Sequence, residues 1–154
     1  MDAQPTIRPA TEADAGAIRA IIREASLNPR DLDWHRFLVA DDSGQVVATA
    51  QVRVHDEGTR ELASVAVRAA RRGEGIGRLV SEAAIAREPV RPLYLYTEGG
   101  TVAYWEKFGF REIPDGELPA DLLRAVRFMR RLVGVYSAVF RKGFRIAVMR
   151  RDES

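Results

Sequence analysis

The stretch of sequence that decides the fold is ELASVAVRAARRGEGIGR, residues 61–78. An apolar, β-branched segment at 61–67 predicts a strand, and apolar residues at helical spacing from Ile76 onward predict a helix. The basic loop between them contains three glycines. Backbone N–H groups of such a loop and of the first helical turn point at one spot, which suits a phosphate or pyrophosphate. A tight strand-to-helix turn that binds nothing is the alternative interpretation.

The glycine spacing excludes two common phosphate-binding patterns. Gly73, Gly75 and Gly77 alternate with other residues, which is not the G-x-G-x-x-G spacing of dinucleotide-binding loops. Gly77 is followed by Arg-Leu, whereas the P-loop requires Lys-Ser or Lys-Thr. The loop therefore matches neither the Rossmann dinucleotide-binding motif nor the P-loop motif of nucleoside-triphosphate-binding proteins.

Predicted strands and helices alternate on both sides of this unit. Thr11 and Asp14 have the spacing of a helix N-cap with an acid at its third helical position. Three antiparallel strands are expected after the first helix, and the strand, glycine loop, helix and next strand form a βαβ unit with a parallel pair. The remaining predicted elements are strands at 7–10, 37–40, 46–54, 93–97 and 144–149, and helices at 101–108 and 118–133.

The composition is that of one globular domain, which we place at residues 1–154. Of the 154 residues, 46% are hydrophobic and 30% charged, enough to bury a core under a solvated surface. The chain has no cysteine and two histidines, so no metal site is expected. No run approaches the roughly 20 apolar residues of a membrane span, and the N-terminus lacks a signal-peptide pattern. We therefore expect a cytoplasmic protein with no membrane contact.

The net charge of +2 conceals an uneven distribution. Residues 124–151 contain nine basic and no acidic side chains, whereas residues 1–123 contain 15 basic and 20 acidic ones. The basic segment either complements the acidic remainder of the molecule or attracts anions. Nucleic acid is not the expected partner. Three aromatic residues in this segment are candidates for a lid or a homodimer contact: Tyr136, Phe140 and Phe144.

Two segments, in a fixed order, carry a resemblance to a known family. Residues 72–77 resemble the Arg/Gln-x-x-Gly-x-Gly/Ala pyrophosphate loop of the GNAT superfamily of acetyl-CoA-dependent N-acetyltransferases. Residues 103–110 resemble the second signature of that superfamily, a short helix ending in Gly-Phe. The resemblance covers about residues 6–113 and the closing strand at 145–150. It leaves a helical, basic segment at about 114–143 outside the common core.

The resemblance implies an α/β (α+β) fold with a mixed, mostly antiparallel central sheet of about six to seven strands, flanked by helices. A splayed parallel pair of strands would receive the pantetheine arm of acetyl-CoA. Backbone groups of the strand would bond the pantetheine amides and the acetyl carbonyl, and loop N–H groups would hold the pyrophosphate. The implied cofactor-binding residues are Val65, Ala66, Val67, Arg72, Gly73, Glu74, Gly75, Ile76, Gly77, Arg78 and Trp105.

The implied catalytic residues are Glu61 and Tyr104. Glu61 matches the position where several GNAT enzymes carry a general-base glutamate, and a surface carboxylate paired with Arg60 or Arg53 is the alternative. The family often has a tyrosine where this chain has Trp105, and indole cannot act as an acid at neutral pH. Tyr104, one position earlier, is then the candidate acid, with Tyr96 and solvent as rivals.

Three further side chains near these motifs have expectations of their own. Glu74 within the loop and Glu98 at the start of the second signature depart from the family pattern and would repel a phosphate that they faced. His55, at the end of a hairpin strand, is expected to be exposed beside the turn, and a place lining the acceptor site is the alternative.

The resemblance implies an acyltransferase that moves the acetyl group of acetyl-CoA to a primary amine. The acceptor would be a small molecule or an amino acid, and the amine would attack directly in a ternary complex. A catalytically weak acetyl-CoA sensor and a protein or peptide N-acetyltransferase are the alternatives.

Overall fold

The computed structural model describes residues 3–140 and 145–153, and the side chains of 136–140 are not described. The chain forms two compact units, and the strand spanning Arg60–Val67 contributes to both. The first unit comprises Met1–Arg53 and Leu62–Pro89. The second comprises Val54–Glu61 and Val90–Ser154.

The first unit contains four strands and two helices, close to the predicted bounds. Its elements are β1 (Thr6–Pro9), α1 (Ala15–Glu24), β2 (Phe37–Asp42), β3 (Gln45–Val54), β4 (Arg60–Val67) and α2 (Ile76–Arg87). The pairs β1–β2 and β2–β3 are antiparallel. A core of aliphatic and aromatic side chains lies under α1, in which Ile18, Ile21 and Ile22 have the spacing of one helix face. Its buried members are Ala10, Ile18, Ile21, Ile22, Phe37, Val39, Val46 and Ala66.

The start of α1 confirms the predicted cap. Thr11 and Asp14 form a reciprocal capping box at a short 3-10 turn, Glu12–Asp14, which leads into the helix. The Asp14 carboxylate also accepts hydrogen bonds from Arg8 Nη1 (2.7 Å) and Nη2 (3.0 Å). This contact with Arg8 lowers the pKa of Asp14 to about 2. Strand β1 and helix α1 are therefore joined by a partly buried ion pair.

The second unit contains three further strands and two helices. They are β5 (Leu93–Glu98), α3 (Val102–Glu106), β6 (Arg111–Ile113), α4 (Ala120–Phe140) and β7 (Ile146–Arg151). Strand β7 pairs antiparallel with both β5 and β6, and β4 pairs in parallel with β5 at Arg60↔Leu93 and Glu61↔Tyr94. The core against α4 consists of Tyr94, Ile113, Leu122, Val126 and Val148.

The sequence predictions for this unit were less accurate than for the first. Helix α3 is shorter than predicted, α4 extends beyond residue 133, and the three-residue strand β6 was not predicted. The last strand begins at Ile146, and Phe144, its predicted start, lies outside the described residues. The side chains of Tyr136 and Phe140 also lie outside them, so the homodimer contact stays a prediction.

The strand order of the sheet is β1-β2-β3-β4-β5-β7-β6. This confirms the predicted fold class, a mixed and mostly antiparallel sheet of seven strands with one parallel pair, flanked by helices.

Basic side chains of the second unit pair with acidic side chains of the same unit. Arg124 lies 3.2 Å from Glu57, Arg150 lies 3.8 Å from Glu117, and Arg145 contacts Glu112. Of the two interpretations of the basic segment, these contacts favour charge complementation within the molecule. Within residues 3–140 and 145–153, no helix is long and apolar enough to cross a bilayer.

Candidate active site

The glycine loop, residues 72–78, leads directly into α2. Gly73 and Gly75 have positive φ values of +84° and +79°, and a Cβ built at either position would meet no atom within 4 Å. A side chain at Gly75 would therefore be strained by its backbone conformation alone, and it would extend into open space in front of the helix. Gly75 is the N-cap of α2 and no side chain caps that helix end.

The start of α2 consequently presents backbone donors. By geometry, the N–H groups of the first helical turn, which begins at Ile76 and Gly77, have no acceptor within the helix itself. The positive end of the helix dipole lies at the same place. This arrangement suits a phosphate group that approaches along the helix axis.

The charged side chains of the loop are engaged in pairs of their own. Arg71 lies between two carboxylates, with Nε 2.8 Å from Glu74 Oε2 and Nη1 2.6 Å from Asp42 Oδ2. Hydrogen bonds to Glu74 and Asp42 raise the pKa of Arg71. Arg78 is paired with Glu82 at 2.8 Å. The expected repulsion between Glu74 and a phosphate is therefore reduced, because Arg71 compensates its charge.

Strand β4 has an unusual backbone at Ser64, where φ is +55° in a residue with a side chain. Two buried side chains of β3 hold this position. Thr49 Oγ1 donates to the Ser64 carbonyl (2.8 Å), and Gln51 Nε2 donates to Ser64 Oγ (2.8 Å). Gln51 Nε2 also donates to the carbonyl of Asp31 (3.1 Å), another residue with positive φ. These hydrogen bonds stabilise the positive φ of Ser64, a conformation that is strained in a residue with a side chain. They also satisfy the buried polar groups of Thr49 and Gln51.

The irregularity lies next to the predicted cofactor-binding part of β4. Ala66 is buried in the core of the first unit, whereas Val65 and Val67 are half-buried. The Val67 carbonyl accepts a hydrogen bond from Arg72 Nε at 3.3 Å, which joins the strand to the glycine loop.

In the second unit, Glu61 forms a close pair with His55. Glu61 Oε2 lies 2.6 Å from His55 Nε2, and the side chains are 2% and 15% exposed. The expectation that His55 is exposed was therefore wrong, because its ring is largely covered by protein. For Glu61, burial excludes the alternative of a surface carboxylate, and the predicted role as base stays a prediction. His55 lies opposite Thr59 across the turn, and Glu61 is two residues beyond Thr59 on β4, so strand alternation directs His55 and Glu61 to the same side.

The turn that carries His55 is fixed on both sides. The His55 N–H donates to the Thr59 carbonyl, and the Gly58 N–H donates to the His55 carbonyl, both at 2.9 Å. Asp121, at the start of α4, accepts from Thr59 Oγ1 (2.6 Å) and from the Glu57 N–H (3.0 Å). Burial acts to raise the pKa of Asp121, but these hydrogen bonds outweigh it and the pKa is lowered.

The aromatic residues of α3 form one cluster. Tyr104 is 38% exposed, and its ring contacts those of Trp105 and Phe108 at centroid distances of 5.0 and 5.2 Å. Trp105 is buried and also contacts Phe110. An exposed phenol on a packed ring is compatible with the acid role predicted for Tyr104, which stays a prediction.

Glu98, the second acidic departure from the family pattern, caps the short 3-10 turn Gly99–Thr101. Its side chain accepts a hydrogen bond from the Gly100 N–H at 2.8 Å. The carboxylate thus has a local structural role. This contact accounts for an acid at the position.

Sequence reasoning missed three contributors to this region. His55 was assigned to the surface, although its separation of six residues from Glu61 across a turn was the available signal. Asp121 was not singled out, although an acid in the first turn of a helix is a typical capping residue. The positive φ of Ser64 has no sequence signal, since serine is not a residue that favours this conformation.

The comparisons with known proteins agree with this geometry. Residues 33–112, just over half of the chain, match the family model described as acetyltransferase (GNAT) domain. An uncharacterized N-acetyltransferase of Chlorobaculum tepidum is 28% identical over 134 residues, which cover 79% of this chain and 85% of that protein.

Two solved structures have a similar fold at low sequence identity. N-acetylglutamate synthase from Neisseria gonorrhoeae, in complex with coenzyme A and N-acetyl-glutamate, is similar with a TM-score of 0.77 and 19% identity. That match covers 99% of this chain, which spans about a third (36%) of the synthase. Rv2747 from Mycobacterium tuberculosis, in complex with CoA and a second ligand, is similar with a TM-score of 0.72 and 22% identity, over 97% of this chain and 100% of that one. By its family match and its fold, the chain belongs to the acetyltransferase (GNAT) domain family.

Proposed function

We propose that this protein transfers the acetyl group of acetyl-CoA to a primary amine of a small molecule or an amino acid, by direct attack in a ternary complex. The thioester of acetyl-CoA supplies the activated acetyl group. The amine nitrogen forms a bond to the acetyl carbon, the carbon–sulfur bond breaks, and sulfur keeps the electron pair. The ammonium form of the acceptor loses two protons in total, one to the sulfur and one to solvent.

The observation that carries this proposal is the uncapped start of α2 behind two left-handed glycines. A cofactor with a pyrophosphate would bond the backbone N–H groups at the start of α2, and the open space at Gly73 and Gly75 would admit it. Side chains at the two glycines would occupy the same space. The loop residues 72–78 are therefore our proposed pyrophosphate site, with Arg72 and Arg78 adding positive charge.

Backbone groups of β4 are the proposed partners of the thioester end. The positive φ at Ser64 redirects the strand just before Val65, and the bonds from Thr49 and Gln51 hold it there. A fixed N–H near the acetyl oxygen would stabilise the negative charge that develops on it. Comparable donors in other enzymes lower the activation free energy by about 3–4 kcal/mol. Val65, Ala66 and Val67 form this proposed segment.

Proton transfer is proposed at Glu61 and Tyr104. An amine with a pKa near 10 must lose a proton before it attacks, and a positioned base contributes about 10²- to 10⁴-fold to the rate. Glu61 lies four residues before Val65 on the same strand, and its carboxylate is already hydrogen bonded to an imidazole. Tyr104 is the proposed acid for the sulfur, and Trp105 supports it by ring packing.

Amino acids are the first acceptors to test. The similar structure from Neisseria gonorrhoeae binds coenzyme A together with N-acetyl-glutamate, which is the product of acetylating an amino acid. We propose that residues 1–154 form one acetyltransferase domain, with a helical, basic segment at about 114–143 before the last strand.

The deciding experiment is thiol release from acetyl-CoA with a panel of amino acids, polyamines and lysine peptides, with mass spectrometry of the acetylated product. Turnover with at least one small amine and a stoichiometric product supports the proposal. Turnover confined to peptides would instead favour a protein or peptide N-acetyltransferase. Tight binding of acetyl-CoA with no turnover on any amine would favour the sensor.

A further inference from the structure

Glu61 is hydrogen bonded to His55, and a carboxylate that acted alone as the base would not need this partner. Glu61 is 2% exposed, and one of its oxygens is already engaged by the imidazole. His55 retains 15% exposure of its side chain. The member of the pair that is more accessible to an acceptor is therefore the histidine.

The contact fixes the state of the imidazole. An ionised carboxylate is an acceptor only, so with Glu61 ionised the ring nitrogen 2.6 Å from its Oε2 carries the proton and Nε2 is the donor. In the neutral ring, Nδ1 then carries the lone pair. Among the residues that the structure describes, none forms a hydrogen bond to His55 Nδ1. This nitrogen is consequently oriented and available as a proton acceptor.

The backbone around His55 is held rigidly enough for such a role. Its N–H and carbonyl are both bonded within the turn, and Asp121 anchors the following residues of that turn to α4. A base that is positioned by a second group and by a fixed backbone loses little orientation when substrate binds.

The other charged and titratable groups of the adjoining elements have their own contacts. In the turn, Glu57 pairs with Arg124 of α4, and Arg60 donates to the Gly58 carbonyl. On β5, Tyr94 is opposite Glu61 in register, and burial raises its pKa. Asp56 of the turn is exposed, and Asp121 of α4 accepts from Thr59 and Glu57 as described. Glu61 is thus the carboxylate that the structure joins to the imidazole.

From this geometry we propose that His55 Nδ1 takes the proton from the acceptor amine, with Glu61 as the positioning residue that fixes the ring. This assignment rests on the proposed acetyl transfer and refines its base. The ammonium group gives one proton to Nδ1 and becomes the neutral nucleophile. The imidazolium formed is stabilised by the Glu61 carboxylate and returns its proton to solvent after each turnover. The second proton of the amine leaves with the sulfur, so His55 carries one proton per cycle.

The first test measures the tautomer and needs no turnover. His35 is the only other histidine of the sequence, so the H35Q variant leaves a single imidazole signal. In ¹⁵N-labelled H35Q protein, the neutral ring of His55 should be protonated at Nε2 and unprotonated at Nδ1. Adding E61Q should shift the balance towards a mixture of tautomers, because an amide can also donate to the ring. A ring protonated at Nδ1 in the H35Q protein would overturn the proposal.

The second test uses turnover and a matched control. His35 and Asp33 form a similar pair at 2.7 Å, but both side chains are exposed (67% and 49%). H55Q should lower kcat about 10²- to 10³-fold, with KM for the amine changed by less than about threefold, and should remove the acid limb of the pH–rate profile. H35Q should keep kcat and the pH–rate profile of the unchanged protein.

Chemical rescue separates catalysis from a structural role. H55A should regain at least about tenfold in rate when imidazole is added, because a free base can replace the missing ring, whereas H55Q should not. E61Q should lower kcat by about tenfold and retain an acid limb. Melting curves check that the variants fold, and H55Q remains informative if H55A does not.

The outcomes separate the two proposals. If the unchanged protein acetylates no amine, the proposed function fails and this assignment fails with it. If the unchanged protein is active while H55Q keeps its rate and its pH–rate profile, only the assignment of His55 is overturned.

Discussion

The glycine loop at residues 72–78 and the His55–Glu61 pair differ in what they are made of. The loop offers backbone N–H groups at the start of α2, and its charged side chains form ion pairs of their own. The pair consists of two side chains brought together by a turn, and a carboxylate from α4 bonds other residues of that turn. Substitutions should therefore affect the loop through backbone conformation and steric exclusion, and the pair through the identity of each functional group.

The largest effect is expected from Gly75→Glu. The new side chain would extend into the open space before α2, and its charge would repel a pyrophosphate. Affinity for CoA, measured by calorimetry, should fall at least about 1,000-fold, or about 4 kcal/mol.

Gly44→Glu is the matched control for this substitution. Gly44 has φ +91° and equally open surroundings, but it lies in the turn between β2 and β3. Both variants should lose a similar 1–2 kcal/mol of stability, roughly, from the strained backbone. Equal CoA affinity in the two variants would contradict the loop assignment.

The next effect concerns stability and tests whether the two units fold as one domain. Ile22 and Leu122 are fully buried, one in the core of each unit. Ile22→Ala and Leu122→Ala should each lower the free energy of unfolding by about 2–5 kcal/mol. If residues 1–154 form a single domain, both substitutions shift one cooperative transition in denaturant. Two transitions, each shifted by one substitution only, would contradict the single-domain proposal.

A smaller effect is expected in acid. The native pKa of Asp14, about 2, lies below the 3.8 of an unperturbed aspartate, so the unfolded chain binds this proton more tightly. The resulting stabilisation, about 2 kcal/mol, is complete above about pH 4 and is lost as the pH falls through about 2. Asp14→Asn should remove this part of the pH dependence of unfolding.

The comparison for Asp14→Asn is Asp33→Asn, because Asp33 is exposed and also bonded to a basic side chain. The Asp33→Asn variant should leave the acid unfolding curve nearly unchanged.

CoA binding by the loop should persist to lower pH than acetyl transfer does. Transfer in the proposed mechanism needs an unprotonated imidazole, whereas binding needs backbone N–H groups. Loss of CoA binding and of acetyl transfer at the same pH would contradict the proposed difference between the loop and the His55–Glu61 pair.

The smallest effect concerns the ion pair between Arg71 and Glu74 at the loop. Arg71→Gln leaves the Glu74 carboxylate without its partner beside the proposed pyrophosphate site. CoA affinity should fall about fivefold, near 1 kcal/mol, and the loss should shrink at high salt. The double variant R71Q/E74Q should recover most of the affinity. No recovery would indicate that Arg71 itself, and not the exposed Glu74, is responsible.

Predictions that depend on residues close together in the sequence were more accurate than predictions that depend on tertiary contacts. The α1 cap and the α2 start depend on residues a few positions apart, and both were predicted correctly. Strand β6 is three residues long and has no periodicity of its own, so only its pairing with β7 defines it. The predicted end of α4 at residue 133 precedes Gly134, a residue that disfavours helix interiors, but the helix continues to Phe140.

The same distinction between local and long-range interactions applies to the two parts of the candidate site. The glycine loop could be recognised because its chemistry comes from consecutive backbone groups, and a short motif specifies them. The environment of Glu61 could not, because its burial and its hydrogen bond to His55 depend on how the β3–β4 turn and α4 fold together in the second unit.

The sequence by itself determined the family, the strand–loop–helix unit and the position of the proposed phosphate site. These features depend on local spacing, backbone conformation and glycine content, which a linear motif contains. The tertiary structure alone decided that Ser64 has a positive φ, that Arg71 compensates Glu74, and that His55 is joined to Glu61. Each of these contacts depends on side chains whose distance and burial are set by packing, and packing is the result of the whole fold.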